Sequence, residues 1–278
     1  MSSAFKFLVV LLLGAAAAGA SPAHLLTVCA DPNNLPYSNK QGQGFENKLA
    51  ALVAKDFGMQ ISYFWFPQHD AFFRRTLNAG ACDVVMGAPA GTDEADTTEP
   101  YYRSSYVFVA RRDFKLNINS FDDPRLKTLR VGVNVLGNGE DSLPPVYALA
   151  SRGIVRNVVG YSVFGGGLAQ TDRAAELIHA VSAKDVDVAV VWGPIAGYYA
   201  LRSTVPLELT PVVNDPAHPD MPLAFEIGIG VRQGNVALKQ RLEAELKRRH
   251  SEIVQLLRSY GIPQVVLAVP ASRSAAEN

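Results

Sequence analysis

The sequence predicts an α/β protein of two lobes joined by two crossing strands, and three observations carry that prediction. Short apolar runs alternate with amphipathic helical stretches, and the alternation occurs twice along the chain. Roughly 255 residues remain after the N-terminal segment, more than the ~100 to 200 that one core usually serves. Two long apolar strands, at 103–111 and 223–231, leave the units they adjoin and read as an outward and a return crossing. Two crossing strands between two α/β lobes make a hinged clamshell.

In chain order, the first element is a segment for export. Lys6 and the amino terminus form a short basic region, 7–13 a compact apolar stretch, and 15–20 a small-residue tail with Ala18-Gly19-Ala20 as a cleavage box. The apolar run is far shorter than the ~20 residues a spanning helix needs, and no stop-transfer charges follow. A signal peptide over 1–23 is therefore expected, giving a soluble periplasmic protein that does not span the membrane. No cysteine at the cleavage site invites lipid attachment.

The first lobe then opens with a buried strand at 27–30 that runs into Asp31, Pro32, Asn33, Asn34, Pro36 and Ser38, residues that favour turns. Polar groups are thereby presented at a strand's C-terminal end, where ligands bind in open α/β sheets. Phe45, Leu49, Leu52, Val53 and Phe57 share one face of a helix that Gly58 stops in a left-handed cap. A strand at 60–66, a helix at 71–79 between Asp70 and Gly80, and a strand at 82–87 complete a parallel βαβαβ unit.

The second lobe repeats the pattern. Its strands are expected at 129–134, 155–162, 186–192 and 207–213, with helices at 144–151 and 172–183. After the return crossing come helices at 236–248 and 252–260, the latter with Ser251 as N-cap and Gly261-Ile262-Pro263 as its stop. The expected boundaries are lobe 1 from 24–112 and 222–268, lobe 2 from 113–221, and a flexible tail at 269–278.

Composition narrows the function classes. Lys plus Arg equals Asp plus Glu at 26 each, with no basic or acidic block, so nothing marks the chain for nucleic acid or an anionic membrane. The five histidines lie far apart with no i, i+4 pairing, and neither a metal site nor a cofactor is expected. Asp93, Glu94 and Asp96 read as a solvated surface loop. The glycines at 165–167 lack the Lys and Ser/Thr of a phosphate-binding loop and read as a turn. Cys29 and Cys82 are the only cysteines, and export permits a bridge between them, which is preferred here over two buried thiols.

Taken in order, the polar turn, the Phe45 helix, Ala79-Gly-Ala-Cys-Asp-Val-Val-Met-Gly87, Tyr101-Tyr102, the crossing strand, Leu129-Arg-Val-Gly-Val133 and Ser259-Tyr-Gly-Ile262 resemble the type II periplasmic solute-binding proteins. The resemblance runs over essentially the whole mature chain. More narrowly, Cys29-Ala-Asp-Pro-Asn-Asn-Leu-Pro-Tyr-Ser38, Gly44-Phe-Glu-Asn47, Asn78-Ala-Gly-Ala-Cys-Asp-Val-Val-Met-Gly87 and Thr98-Glu-Pro-Tyr-Tyr-Arg-Ser104 are similar to one subgroup. Its members are the binding proteins associated with quinoprotein methanol and alcohol dehydrogenases, the J proteins of methanol oxidation.

Departures from the family's amino-acid importers matter as much. Those proteins carry an Arg after the third strand that clamps the ligand's α-carboxylate, whereas here Ala88 to Asp96 contains none. They place an Asp at the end of a second-lobe strand for the α-ammonium, and here Trp192 stands instead. An amino-acid receptor is therefore not expected.

The candidate ligand-binding residues are Asp31, Asn33, Asn34 and Tyr37 at the first strand's mouth, Pro89 at the third strand's end, Tyr101, Tyr102 and Arg103 at the hinge, and Trp192. Each has a plainer reading: an Asx-type turn for the first group, lobe packing with a solvent-facing Arg at the hinge, core packing for Trp192. The subgroup resemblance implies an accessory factor whose partner is a dehydrogenase dependent on pyrroloquinoline quinone (PQQ). The alternative is a substrate-binding protein handing a small non-amino-acid solute to an ABC permease. No nucleophile–base or paired-carboxylate spacing points to an enzyme.

Overall fold

The computed structural model describes residues 24–68, 71–135, 143–162 and 173–266. The expected signal peptide, the Asp70 cap, the 165–167 turn, the Asp172 helix start and the 269–278 tail lie outside them. Strand β1 (Leu25–Ala30) leads through a two-residue hairpin, β2 (Asn33–Asn34) and β3 (Ser38–Asn39), into helix α1 (Phe45–Asp56). Then follow β4 (Gln60–Trp65), α2 (Phe72–Arg75), β5 (Val84–Pro89), β6 (Asp96–Thr97) and β7 (Tyr102–Arg111). The middle of the chain holds β8 (Val131–Val135), α3 (Pro144–Ala150), β9 (Val158–Ser162), α4 (Arg173–Ala183), β10 (Val188–Trp192) and α5 (Gly193–Arg202). Last are β11 (Leu207–Val212), β12 (Ala224–Val231), α6 (Val236–Arg248) and α7 (His250–Ser259).

One sheet runs through both lobes in the order β4-β1-β5-β12-β7-β10-β8-β9. β1 pairs in parallel with β4 and β5, and β8 in parallel with β9 and β10, so each lobe carries the parallel unit that alternation predicts. The crossing is visible within β7. Its residues 102–105 pair antiparallel with β12, and from Tyr106 onward it pairs antiparallel with β10 and β11. β12 in turn pairs antiparallel with β5.

Helices α1, α6 and α7 cover one face of the first lobe's sheet with Phe45, Leu49, Val53, Leu242 and Leu257 buried beneath them. On the other face the Cys29–Cys82 disulfide sits with Phe72, Phe73 and Leu77 in a second core. The bridge joins β1 to the approach of β5. In the second lobe, Phe108, Phe121 and Leu149 form one core and Val107, Ile178, Val181 and Val191 the other, on opposite faces of the sheet. Arg152 staples the outer edge of that lobe, donating to both carboxylate oxygens of buried Asp215 at 2.8 and 2.6 Å.

Two expected elements differ. The helix at 71–79 is a single turn, because the Thr76 hydroxyl donates to the Phe72 carbonyl at 2.7 Å and the backbone at Thr76 leaves the helical region. Ser251 is not an N-cap: α7 starts at His250, with Ile253 N bonded to the Arg249 carbonyl. Asp56 holds the Arg249 guanidinium at 2.6 and 2.8 Å, so the chain turns from α6 into α7 at Arg249 itself.

Candidate functional site

The polar lip after β1 is bonded mainly to itself. The Asp31 carboxylate accepts the Asn33 N–H at 2.7 Å and the Gln68 N–H at 2.6 Å, and Ser38 Oγ donates to the Asp31 carbonyl. Asn34 Nδ2 donates to Gln68 Oε1, and Tyr37 N to the Asn34 carbonyl across the cis Leu35–Pro36 bond. Asn33 is exposed. The Asx-type turn is thus present, and it leaves Tyr37 as the residue of the group directed inward, its ring 5.6 Å from that of Phe45. Asn47 fixes the lip to α1, accepting the N–H groups of Asn39 and Gly44 on its Oδ1.

Across the cleft, β10 ends at Trp192 and Pro194 sets the first turn of α5. The Trp192 ring stands edge-on to Tyr106 at 5.5 Å and to Phe225 at 5.6 Å. Trp192 packs on the second lobe's core, and burial raises the Tyr37 phenol well above its ordinary value. Leu35 packs against the second lobe's core, and its carbonyl accepts the Tyr199 hydroxyl at 3.3 Å. Tyr198 of α5 stacks on Tyr260 just after α7, at 5.8 Å and 20°. The Tyr260 hydroxyl donates to the Gln43 carbonyl.

Behind Tyr37 lies a carboxyl group that sequence reasoning did not single out. Glu46, in the first turn of α1, rests on Gly87 of β5: a Cβ there would lie 2.2 Å from Oε1. Burial pushes the Glu46 carboxyl from 4.5 up to about 8, so it is protonated at neutral pH. Tyr63, Tyr101 and Tyr102 gather around it, each raised by burial. No spacing announces this position, since the Glu46 to Gly87 contact depends on how α1 lies across β5.

The remaining candidates divide between core and hinge. Tyr101 and Tyr102 are buried in the first lobe's core, the Tyr101 hydroxyl donating to the Met86 carbonyl at 2.9 Å and Tyr102 edge-on to Phe45. Pro89 is exposed at the end of β5, opposite Ile227. Arg103 does not project freely into solvent: its Nε and Nη1 are buried without a hydrogen-bond partner among the described residues, and Nη1 lies 4.0 Å from Glu226 Oε1. Asn134 Nδ2 at the end of β8 and Arg173 Nε at the start of α4 are likewise buried, without a hydrogen-bond partner among the described residues. Among the described residues no three His, Cys, Asp or Glu side chains converge to hold a metal ion. No helix among them is long and apolar enough to cross a membrane.

The sequence profile of the bacterial extracellular solute-binding proteins, family 3, matches residues 26–261. Protein MoxJ of Methylorubrum extorquens is 33% identical over 264 residues, covering 90% of this chain and 84% of that one. Protein MoxJ of Paracoccus denitrificans is 29% identical, covering 90% and 94%. Among solved structures, the periplasmic binding protein XoxJ from Methylobacterium extorquens AM1 superposes with a TM-score of 0.71 at 34% identity, over 87% of this chain and 100% of that one. MxaJ from Methlophaga aminisulfidivorans MPT gives 0.71 at 26%, over 86% and 100%.

Proposed function

Because the chain belongs to the bacterial extracellular solute-binding proteins, family 3, we propose that it acts in the periplasm as a non-catalytic accessory factor of a PQQ-dependent methanol or alcohol dehydrogenase, assisting its maturation or activation. The observation that carries this reading is the likeness to MoxJ over nearly the full length of both chains. The cleft agrees with it. The positions that grip a zwitterion in amino-acid importers carry no Arg after β5 and Trp192 after β10. Asp31 and Asn34 of the lip bond the turn itself and Gln68 just after β4, which leaves the rims of the two lobes as surfaces for a partner.

The test uses affinity-tagged mature protein in periplasmic extract. Retrieval of a quinoprotein dehydrogenase, with no thermal shift from a panel of metabolites, is the expected result. Saturable stabilisation by a metabolite with no dehydrogenase retrieved would sink the reading.

A second reading, a receptor serving an ABC permease, has one observation in its favour. The buried donors of Arg103, Asn134 and Arg173, which have no hydrogen-bond partner among the described residues, suit an acceptor-rich solute such as a small carboxylate, since a buried donor left unpaired costs about 1 to 3 kcal/mol.

A further inference from the structure

We propose that Asn134 and Arg173 form one carboxylate site at the carboxyl end of the second lobe's sheet, and that its solute is a short-chain monocarboxylate without an ammonium group. This rests on the receptor reading and deepens it, because it names the solute class and the two side chains that meet it.

Topology brings the two donors together. Helix α4 connects β9 to β10, which flank β8 and run parallel to it, so α4 crosses over β8 in the antiparallel sense. Gly132 fixes the register between them: a Cβ there would lie 2.4 Å from Leu177 Cδ1. Asn134 stands two residues further along β8 and shares the face of Gly132, since Val131 and Val133 belong to the core on the opposite face. Arg173 lies one turn before Leu177 on the same stripe of α4. Two strand residues advance ~6.6 Å and four helical residues ~6 Å, so both side chains start from one level, at the carboxyl end of β8.

Both carry a donor in need of an acceptor. Asn134 is 6% exposed, and its Nδ2 and the Arg173 Nε are buried without a hydrogen-bond partner among the described residues. A buried donor without an acceptor is costly, so the pair favours an oxygen-bearing guest.

The balance of charge makes that guest an anion. Asp187 holds Arg130 at 2.8 Å beyond the other end of β8. Glu176 is the acid in the first turn of α4, and among the described residues no ion pair joins it to Arg173. Arg103 differs, because Glu226 Oε1 stands 4.0 Å from its Nη1. A guanidinium fork fits the two coplanar oxygens of a carboxylate, with the Asn134 amide as a third donor. The positive end of the 11-residue helix α4 adds to that attraction and repels an ammonium. Tyr161, Ala174 and Leu35 of the lip pack against the core on this face, which suits a short alkyl tail.

The test is thermal shift on mature protein, unfolded and refolded to strip any solute, with propionate, glycine and phosphate as probes. Propionate should raise the melting temperature saturably, and glycine at the same concentrations should not. Arg173→Gln should weaken half-saturation about 10-fold to 100-fold, the loss of one charge-assisted pair. Asn134→Asp keeps the shape but sets a carboxylate where the amide was, and should abolish the rise. No rise with propionate would overturn the proposal, and the receptor reading would then be decided by the metabolite panel. A rise that survives intact in Arg173→Gln would also overturn it, while leaving a receptor whose solute is held elsewhere. An equal rise with phosphate would mark an adventitious ion only. If Arg173→Gln does not fold, Asn134→Asp decides, and an undiminished rise in it counts against the site.

Discussion

Glu46 shows how one residue on a helix's first turn acquires an ionisation that its type does not imply. Its carboxyl lies on Gly87 among tyrosines, and burial is what lifts it to about 8. The folded state therefore holds the proton more tightly than the unfolded chain, whose carboxyl titrates near 4.5. The stabilising contribution is complete below about pH 4.5 and is lost as pH rises toward about 8. Glu46→Gln is neutral throughout and should flatten that slope. Guanidinium midpoints measured from about pH 5 to about pH 8 should fall for the wild type and hold level for the variant. Parallel decline of the two would show that Glu46 is ionised in the fold.

At the scale of elements, the Cys29–Cys82 bridge ties β1 to the start of β5, strands that also pair in the sheet. It closes a loop across a separation of 53 residues, for which chain-entropy arguments give about 4 kcal/mol of stabilisation. Replacing both cysteines with serine should lower the unfolding free energy by about 2 to 4 kcal/mol, measured by guanidinium denaturation. A loss below about 0.5 kcal/mol would mean that the paired strands restrain the unfolded chain already. These strands were legible in the sequence because each is a short apolar run bounded by turn residues. The same holds for α1, whose apolar face ends at Gly58 with φ +64°. The two-residue strands β2, β3 and β6 were not legible, since each exists only through its partner's backbone. Nor was the shortening of α2, which turns on one hydroxyl folding back at Thr76.

Across the whole molecule, Tyr37 and Trp192 were each nameable from sequence, but the packing of the lip on α5 through Leu35 and the Tyr199 hydroxyl was not. It requires both lobes to be folded, with a sequence separation of 164 residues and no local pattern to relate the two ends. Arg103 was nameable as a hinge cation, yet the burial of its Nε and Nη1, without a hydrogen-bond partner among the described residues, follows only from the way β7 passes between lobes. The residues at the ends of β5 and β10 make a definite prediction about ligands. Zwitterion recognition needs an anchored guanidinium for the carboxylate and a carboxylate for the ammonium, and after β5 and β10 the chain supplies Ala88 to Asp96 without Arg, and Trp192. The twenty amino acids, each tested by thermal shift on refolded protein, should leave the melting temperature unchanged. An amino acid present at ~100 times its dissociation constant would add about 2.7 kcal/mol, well within detection. A saturable rise with any of them would mean that Arg103, or another donor at the hinge, has taken over the clamp.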